Sequence, residues 1–198
     1  GPLAGRTVVV TRTRSQASEL RRMLEALGAG VIEAPVLEII HGAPDLRTGE
    51  ETSTRWDWAI FSSQNAVEAF FAVLRADGKD ARALGTTKVG AIGAATADAL
   101  AGNGVLADFV PAAATSEALA GEVPSVAGAR VLPPCGSLSE DRLADGLRAR
   151  GAEVEQVRVY ETRPVPLDGP TLDCVLTADA ITFASASSAR FLRQALGG

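Results

Sequence analysis

The 198-residue chain contains one histidine, one tyrosine, one methionine and two cysteines. Each scarcity removes a class of chemistry. A single histidine, His41, cannot supply a pair of imidazole ligands to a metal, and it leaves a Ser-His-Asp hydrolase with little to draw on. Cys135 and Cys174 stand far apart, form no C-x-x-C and belong to no ligand cluster. Structural thiols are therefore expected, and no metal. No apolar run approaches the roughly 18 residues that a membrane helix needs, and no charged-apolar-small signal opens the chain. The expectation is a cytoplasmic protein with no membrane partner. Gly90 and Gly93 are spaced G-x-x-G rather than G-x-G-x-x-G, and no G-x-x-x-x-G-K-[ST] occurs, which disfavours a dinucleotide or P-loop site. Positive charge is also short. With 19 Lys and Arg against 24 Asp and Glu, the net charge is −5, which argues against nucleic acid as a partner.

What remains is an ordinary globular composition, 46% hydrophobic and 22% charged, with mean hydropathy +0.14. The length suits one large domain or two small ones, at about 100–200 residues each. Strand and helix patterns alternate. "TVVVT" (7–11) is a β-branched run suited to a strand buried on both faces. Ser15 is placed to cap a helix running to about Leu27, with Leu20, Leu24 and Leu27 on one face. Gly28 ends it, and "GVIEAPVLEII" reads as a strand broken at Pro35. The phrase helix–glycine–strand returns at Gly104 and Gly151, which is the αβ turn of a parallel sheet. The acidic, polar segment Asp45–Asp57 reads as a surface loop.

The opposite turn, strand into helix, occurs five times: "VVVTRTRSQA", "AIFSSQNAVEA", "VGAIGAATADAL", "RVLPPCGSLSED" and "AITFASASSARF". Each passes from apolar residues through small or hydroxyl residues. Open parallel sheets bind ligands at the carboxyl ends of their strands. There the first helical N–H groups lack intrahelical partners and the dipole is positive, so a carboxylate or phosphate can be held without a lysine. Ser and Thr are also good N-caps in any helix; it is the recurrence that points to a site. In "GSLSEDRLADGL", Ser137 or Ser139 before Asp141 resembles a capping box. It is not a G-x-S-x-G nucleophile elbow.

Taken together and in order, "VVVTR", "FSSQNAVEAF", "VGAIGAATADAL", "VLPPCGSLSEDRLADGLRARGAEV", "VRVYETRP" and "DAITFASASSARF" resemble the uroporphyrinogen-III synthase family over nearly the whole chain. The resemblance implies an α/β fold of two flavodoxin-like, doubly wound parallel-sheet domains. A two-stranded connector joins them, and the active site lies in the cleft between them. The extended, proline-bearing segments 35–40 and 157–166 fit the connector. They set off a continuous inserted domain, 40–160, from a discontinuous one, 1–35 plus 166–198. In the family pattern a further Ile-Gly-x-x-Thr strand–helix turn follows the "FASAS" helix, so the discontinuous domain is expected to lack its C-terminal part.

The resemblance also implies an activity: cyclisation of hydroxymethylbilane with inversion of the last pyrrole ring through a spiro intermediate and loss of water. No cofactor and no metal are implied. The partner is a small-molecule polycarboxylate tetrapyrrole substrate. The enzyme would be a monomer handed its substrate by hydroxymethylbilane synthase. Tyr160, in the connector, is the candidate catalytic acid. The substrate-binding positions carried by the resemblance are Arg12, Ser62, Ser63, Gln64, Thr96, Cys135, Gly136, Ser137 and Ser185, with Cys135 contributing its backbone. Two other readings stand beside this one. A non-catalytic bilobed ligand-sensing or regulatory module would share the fold, although no helix-turn-helix appendage is visible. A flavodoxin-like signalling domain would need acidic residues at strand ends, where this sequence has Ser and Thr.

Overall fold

A computed structural model of the protein describes residues 1–12, 14–42 and 56–197, together with their side chains except those of 14–18. The expected loop Asp45–Asp57 lies almost wholly outside the described residues. Strand β1 (Thr7–Val10) is the β-branched run and is mostly buried. It is the middle strand of a parallel sheet ordered β10-β1-β2, with β2 at Gly30–Glu33 and β10 at Ala180–Thr182. Val9 pairs with Ile32 on one side and with Ile181 on the other.

A second parallel sheet is ordered β5-β4-β6-β8. Its strands are β4 (Trp58–Phe61), β5 (Lys88–Ala91), β6 (Arg130–Leu132) and β8 (Glu153–Val154). All four residues of β4 are buried. Its side chains alternate between faces, as a strand's must. Ala59 and Phe61 join one core with Phe70, Phe71 and Leu74. Trp58 and Ile60 join another with Leu119, Val126 and Leu147. That two-sided cover explains why the strand reads as an unbroken apolar run.

A third sheet is ordered β3-β9-β7, from Leu37–His41, Val157–Pro164 and Pro134–Gly136. β7 runs parallel to β9. β3 runs antiparallel to β9, since Gly42 N–H donates to the Val159 carbonyl and Val165 N–H to that of Val36. The helices are α1 (Arg14–Ala26), α2 (Gln64–Ala76), α3 (Ala94–Gly102), α4 (Ser116–Glu122), α5 (Arg142–Ala149), α6 (Gly169–Thr177) and α7 (Ala186–Ala195).

The chain divides into two compact units, Gly1–Ile39 with Thr162–Gly198, and Ile40–Glu161. The first builds its core from Val9, Ala34 and Val36 against Val175 of α6 and Leu192 of α7. The second holds the two cores on either face of β4. Among the described residues no helix is long and apolar enough to cross a membrane.

Gly28, Gly104 and Gly151 all take positive φ, between +80° and +95°, and so end their helices as the repeated phrase predicts. Three local expectations are corrected. α1 begins at Arg14, so Ser15 lies inside its first turn rather than capping it. Among the described residues the segment after Gly104 forms one bridge, Phe109 to Gly90, and no strand. α5 starts at Arg142 behind Asp141, which makes no side-chain cap, so the Ser137/Ser139 capping box does not form.

Candidate active site

In the unit Ile40–Glu161, three turns leave the carboxyl ends of neighbouring strands. β4 ends at Phe61, and Ser62 and Ser63 lead into α2. Ser63 is the N-cap: its backbone is extended and its Oγ accepts from Ala66 N–H at 3.1 Å. Ser62 and Ser63 are half-buried and Gln64 is exposed. The Gln64 amide, in the first helical position, has no intrahelical acceptor. Next to it, β5 ends at Ala91, and Ile92 N–H donates to the Phe61 carbonyl. Gly93 then caps α3 without a side chain, and Thr96, 4% exposed, sits in the first turn. Ala94 and Ala95 are exposed, while Gly93 lies against Ala114, whose Cβ stands 3.0 Å from where a side chain at 93 would begin.

The third turn is Pro134-Cys135-Gly136-Ser137. β7 packs against β4 and α2, which brings it to the same edge as the serine turn. Its register with β9 slips between Cys135 and Gly136, and Gly136 faces Tyr160. The Tyr160 ring lies directly on the Gly136 Cα: a methyl group there would overlap ring carbons Cε2 and Cζ and stand 2.7 Å from the hydroxyl oxygen. Ser137 N–H donates to the Tyr160 carbonyl at 3.0 Å. Tyr160 is half-buried against the Phe61–Phe70 core. Among the described residues, none hydrogen-bonds its hydroxyl. Cys135 is buried, and desolvation pushes its thiol above the usual cysteine range, outweighing the opposing influence of Arg158.

The unit formed by Gly1–Ile39 and Thr162–Gly198 offers two adjacent turns. β1 and β10 are neighbours, and their ends are tied together: Thr11 Oγ1 donates to the Thr182 carbonyl at 2.8 Å, and Thr182 Oγ1 to the Val9 carbonyl at 3.0 Å. Arg12 follows β1, half-buried, at the rim of a pocket of about 340 Å³ shared with Glu19, Thr182 and Phe183. Ser185 follows β10 and caps α7, accepting from Ser188 N–H at 3.2 Å; its Oγ lies 3.0 Å from that of Ser188.

Two clusters thus form. One holds Ser62, Ser63, Gln64, Thr96, Cys135, Gly136, Ser137 and Tyr160, and the other holds Arg12 and Ser185. A family model described as uroporphyrinogen-III synthase HemD matches residues 18–198. The chain belongs to the uroporphyrinogen-III synthase family. Uroporphyrinogen-III synthase of Synechococcus elongatus is 36% identical over 166 residues, covering 82% of this chain and 62% of that protein. The porphyrin biosynthesis protein HemD of Ruminiclostridium josui is 30% identical over 165 residues, covering 81% of this chain and 33% of its own length. The chain therefore spans less than two thirds of these curated relatives. A mutant uroporphyrinogen III synthase from Thermus thermophilus aligns with a TM-score of 0.70 at 22% identity, covering 96% of this chain and 77% of that one. That likeness shows the α/β fold with parallel sheets. The names of these relatives lend no support to a sensing module.

Within this uroporphyrinogen-III synthase family chain, sequence reasoning took Ser139 only as a candidate helix cap. Its Oγ accepts from Gly136 N–H at 2.9 Å and its own N–H donates to the Gly136 carbonyl at 3.1 Å. A hydroxyl that bonds backward across a turn looks, in sequence, like any helix cap. It also means that the amides of Gly136 and Ser137 are both engaged within the protein.

Proposed function

We propose that this protein cyclises hydroxymethylbilane to uroporphyrinogen III, as a hydro-lyase of heme, siroheme and cobalamin biosynthesis. It does so as a cytoplasmic monomer that receives its substrate from hydroxymethylbilane synthase. Residues 1–39 with 162–198 and residues 40–161 are its two domains, and β3 with β9 is the connector between them. The observation that carries the reading is the cluster beyond β4, β5 and β7: a serine-capped helix start, an exposed helix start at Ala94 and Ala95 and a phenol with no partner among the described residues.

Tyr160 donates a proton to the departing hydroxyl, which leaves as water. The azafulvene that remains is electrophilic at the former hydroxymethyl carbon. The substituted carbon of the last ring attacks it and closes a spiro intermediate. That ring then releases its old bridge and rejoins through its free carbon, now reversed, and the proton lost on closure returns to the phenol. Much of the barrier is geometric, so holding the substrate's carboxylates in place does most of the catalysis. Ser62 and Ser63 supply hydroxyls, Gln64 a helix-start amide and Thr96 its hydroxyl, the Cys135–Gly136–Ser137 turn its backbone shape and a hydroxyl, and Arg12 and Ser185 the second cluster. No cofactor or metal enters this scheme.

The test is to generate preuroporphyrinogen in situ with the protein present. Type III product is expected; type I product alone, the outcome of unassisted closure, refutes the reading. Removing only the phenolic oxygen, Tyr160→Phe, should lower kcat roughly tenfold or more with KM little changed, as loss of a proton donor does. Unchanged turnover in that variant removes Tyr160 from the chemistry.

A further inference from the structure

We infer that Ser139 and Gly136 are positioning residues that fix the Tyr160 ring; the inference rests on the reading of Tyr160 as proton donor. Three observations converge. First, the Tyr160 ring occupies the space that any side chain at position 136 would fill. Gly136 is needed there for room rather than for backbone freedom, since it is not among the glycines with positive φ. Second, the turn beneath the ring is closed by a reciprocal pair, Gly136 N–H to Ser139 Oγ and Ser139 N–H to the Gly136 carbonyl. Third, that turn is pinned to the strand that carries Tyr160, because Ser137 N–H donates to the Tyr160 carbonyl across the register slip.

The Ser139 hydroxyl could have served a helix instead. α5 begins three residues later without a side-chain cap, an omission that weakens a helix start. A serine just ahead of a helix would ordinarily supply that cap. Here the hydroxyl closes the turn under the phenol. A bulge in a ladder is a common device for aiming a side chain, and this one aims the only tyrosine in the chain.

Ser139→Ala releases the Gly136 amide and lets the turn shift. Because a misplacement of about 1 Å at a reacting group can cost up to roughly 100-fold, a partial loosening should lower kcat by about threefold, less than Tyr160→Phe does, with KM nearly unchanged. Ser139→Thr, which keeps the hydroxyl, should restore it. Gly136→Ala should displace the ring outright and reduce kcat to the level of Tyr160→Phe.

The experiment uses that single tyrosine. Protein grown with 3-fluorotyrosine gives one 19F resonance, from residue 160, whose shift and width report the ring's surroundings independently of turnover. Ser139→Ala is expected to move or broaden it, Ser139→Thr to return it, and Gly136→Ala to move it furthest. In a Tyr160→Phe background, Ser139→Ala should cost nothing further in kcat. A 19F resonance unmoved by Ser139→Ala overturns the inference even if Gly136→Ala fails to fold. So does an equal loss of kcat with and without the phenol, which marks Ser139 as merely structural. If the resonance moves while Tyr160→Phe retains full turnover, the positioning stands and the catalytic reading of Tyr160 falls.

Discussion

Cys135 shows how far a single residue can be read. Its sequence setting, "PPCGS", suggests a backbone contributor rather than a reactive thiol; the thiol itself is buried, at 8% exposure, and desolvation raises its pKa. The sign follows directly. The folded state holds this proton more tightly than the unfolded chain does. Its contribution to stability is thus complete below the unfolded thiol's range, near about 8.5, and fades as pH rises through the folded value. Near neutral pH, iodoacetamide should therefore label the exposed Cys174 and spare Cys135. Cys135→Ala should leave turnover within about threefold, the mild outcome of trimming an inert buried thiol. Mass spectrometry of the alkylated peptides and a rate assay check both, and rapid labelling of Cys135 contradicts them. The same residue marks where reading from sequence stopped. That position 136 must lack a side chain was not legible, because the reason lies in the slipped pairing of β7 with β9, a long-range register that no local pattern encodes.

At the scale of elements, the alternation of apolar strand, small-residue turn and helix was plain in the sequence, since burial on both faces and N-cap chemistry each leave a local signature. Ser63 is the best example. Its hydroxyl holds the Ala66 amide, so Ser63→Ala should destabilise the protein by about 1 kcal/mol while Ser63→Gly costs only a few tenths. If Ser63 also meets substrate, both variants should raise KM, and the glycine variant separates the two roles. Denaturant melts beside kinetics make the comparison. Elsewhere local signals misled. The valine-bearing segment after Gly104 has the pattern of a strand, yet its ladder stops at one bridge. The Asp108 carboxylate takes the Val89 N–H at 2.7 Å, and the Val89 carbonyl accepts from both Asp108 and Phe109. A side chain has occupied the place where the ladder would continue.

At the scale of the whole molecule, the proposed binding of a polycarboxylate by a chain of net charge −5 would rest mainly on local dipoles and hydroxyls rather than on a basic field. Its KM should then stay flat or fall as salt rises from roughly 0.05 to 0.5 M, because screening removes repulsion. A steep rise would show that cationic side chains do the holding. The two sheets also repeat one plan. β10 and β4 each lead through a Phe-x-Ser turn into a capped helix, while β1 and β6 take the neighbouring place and β2 and β8 the outer one. β4 has a further neighbour in β5, whereas β10 is an edge among the described strands. Phe61 is accordingly sealed in, and its counterpart Phe183 is 46% exposed. The outcome should be visible in time rather than in shape. In deuterated buffer, amides of β4 should exchange only when the unit opens as a whole, while amides of Ala180–Thr182 that point away from β1 should exchange by local fraying. Two serine turns built on the same pattern would then keep different clocks, with the one at Ser185 opening and closing many times before the one at Ser63 opens once.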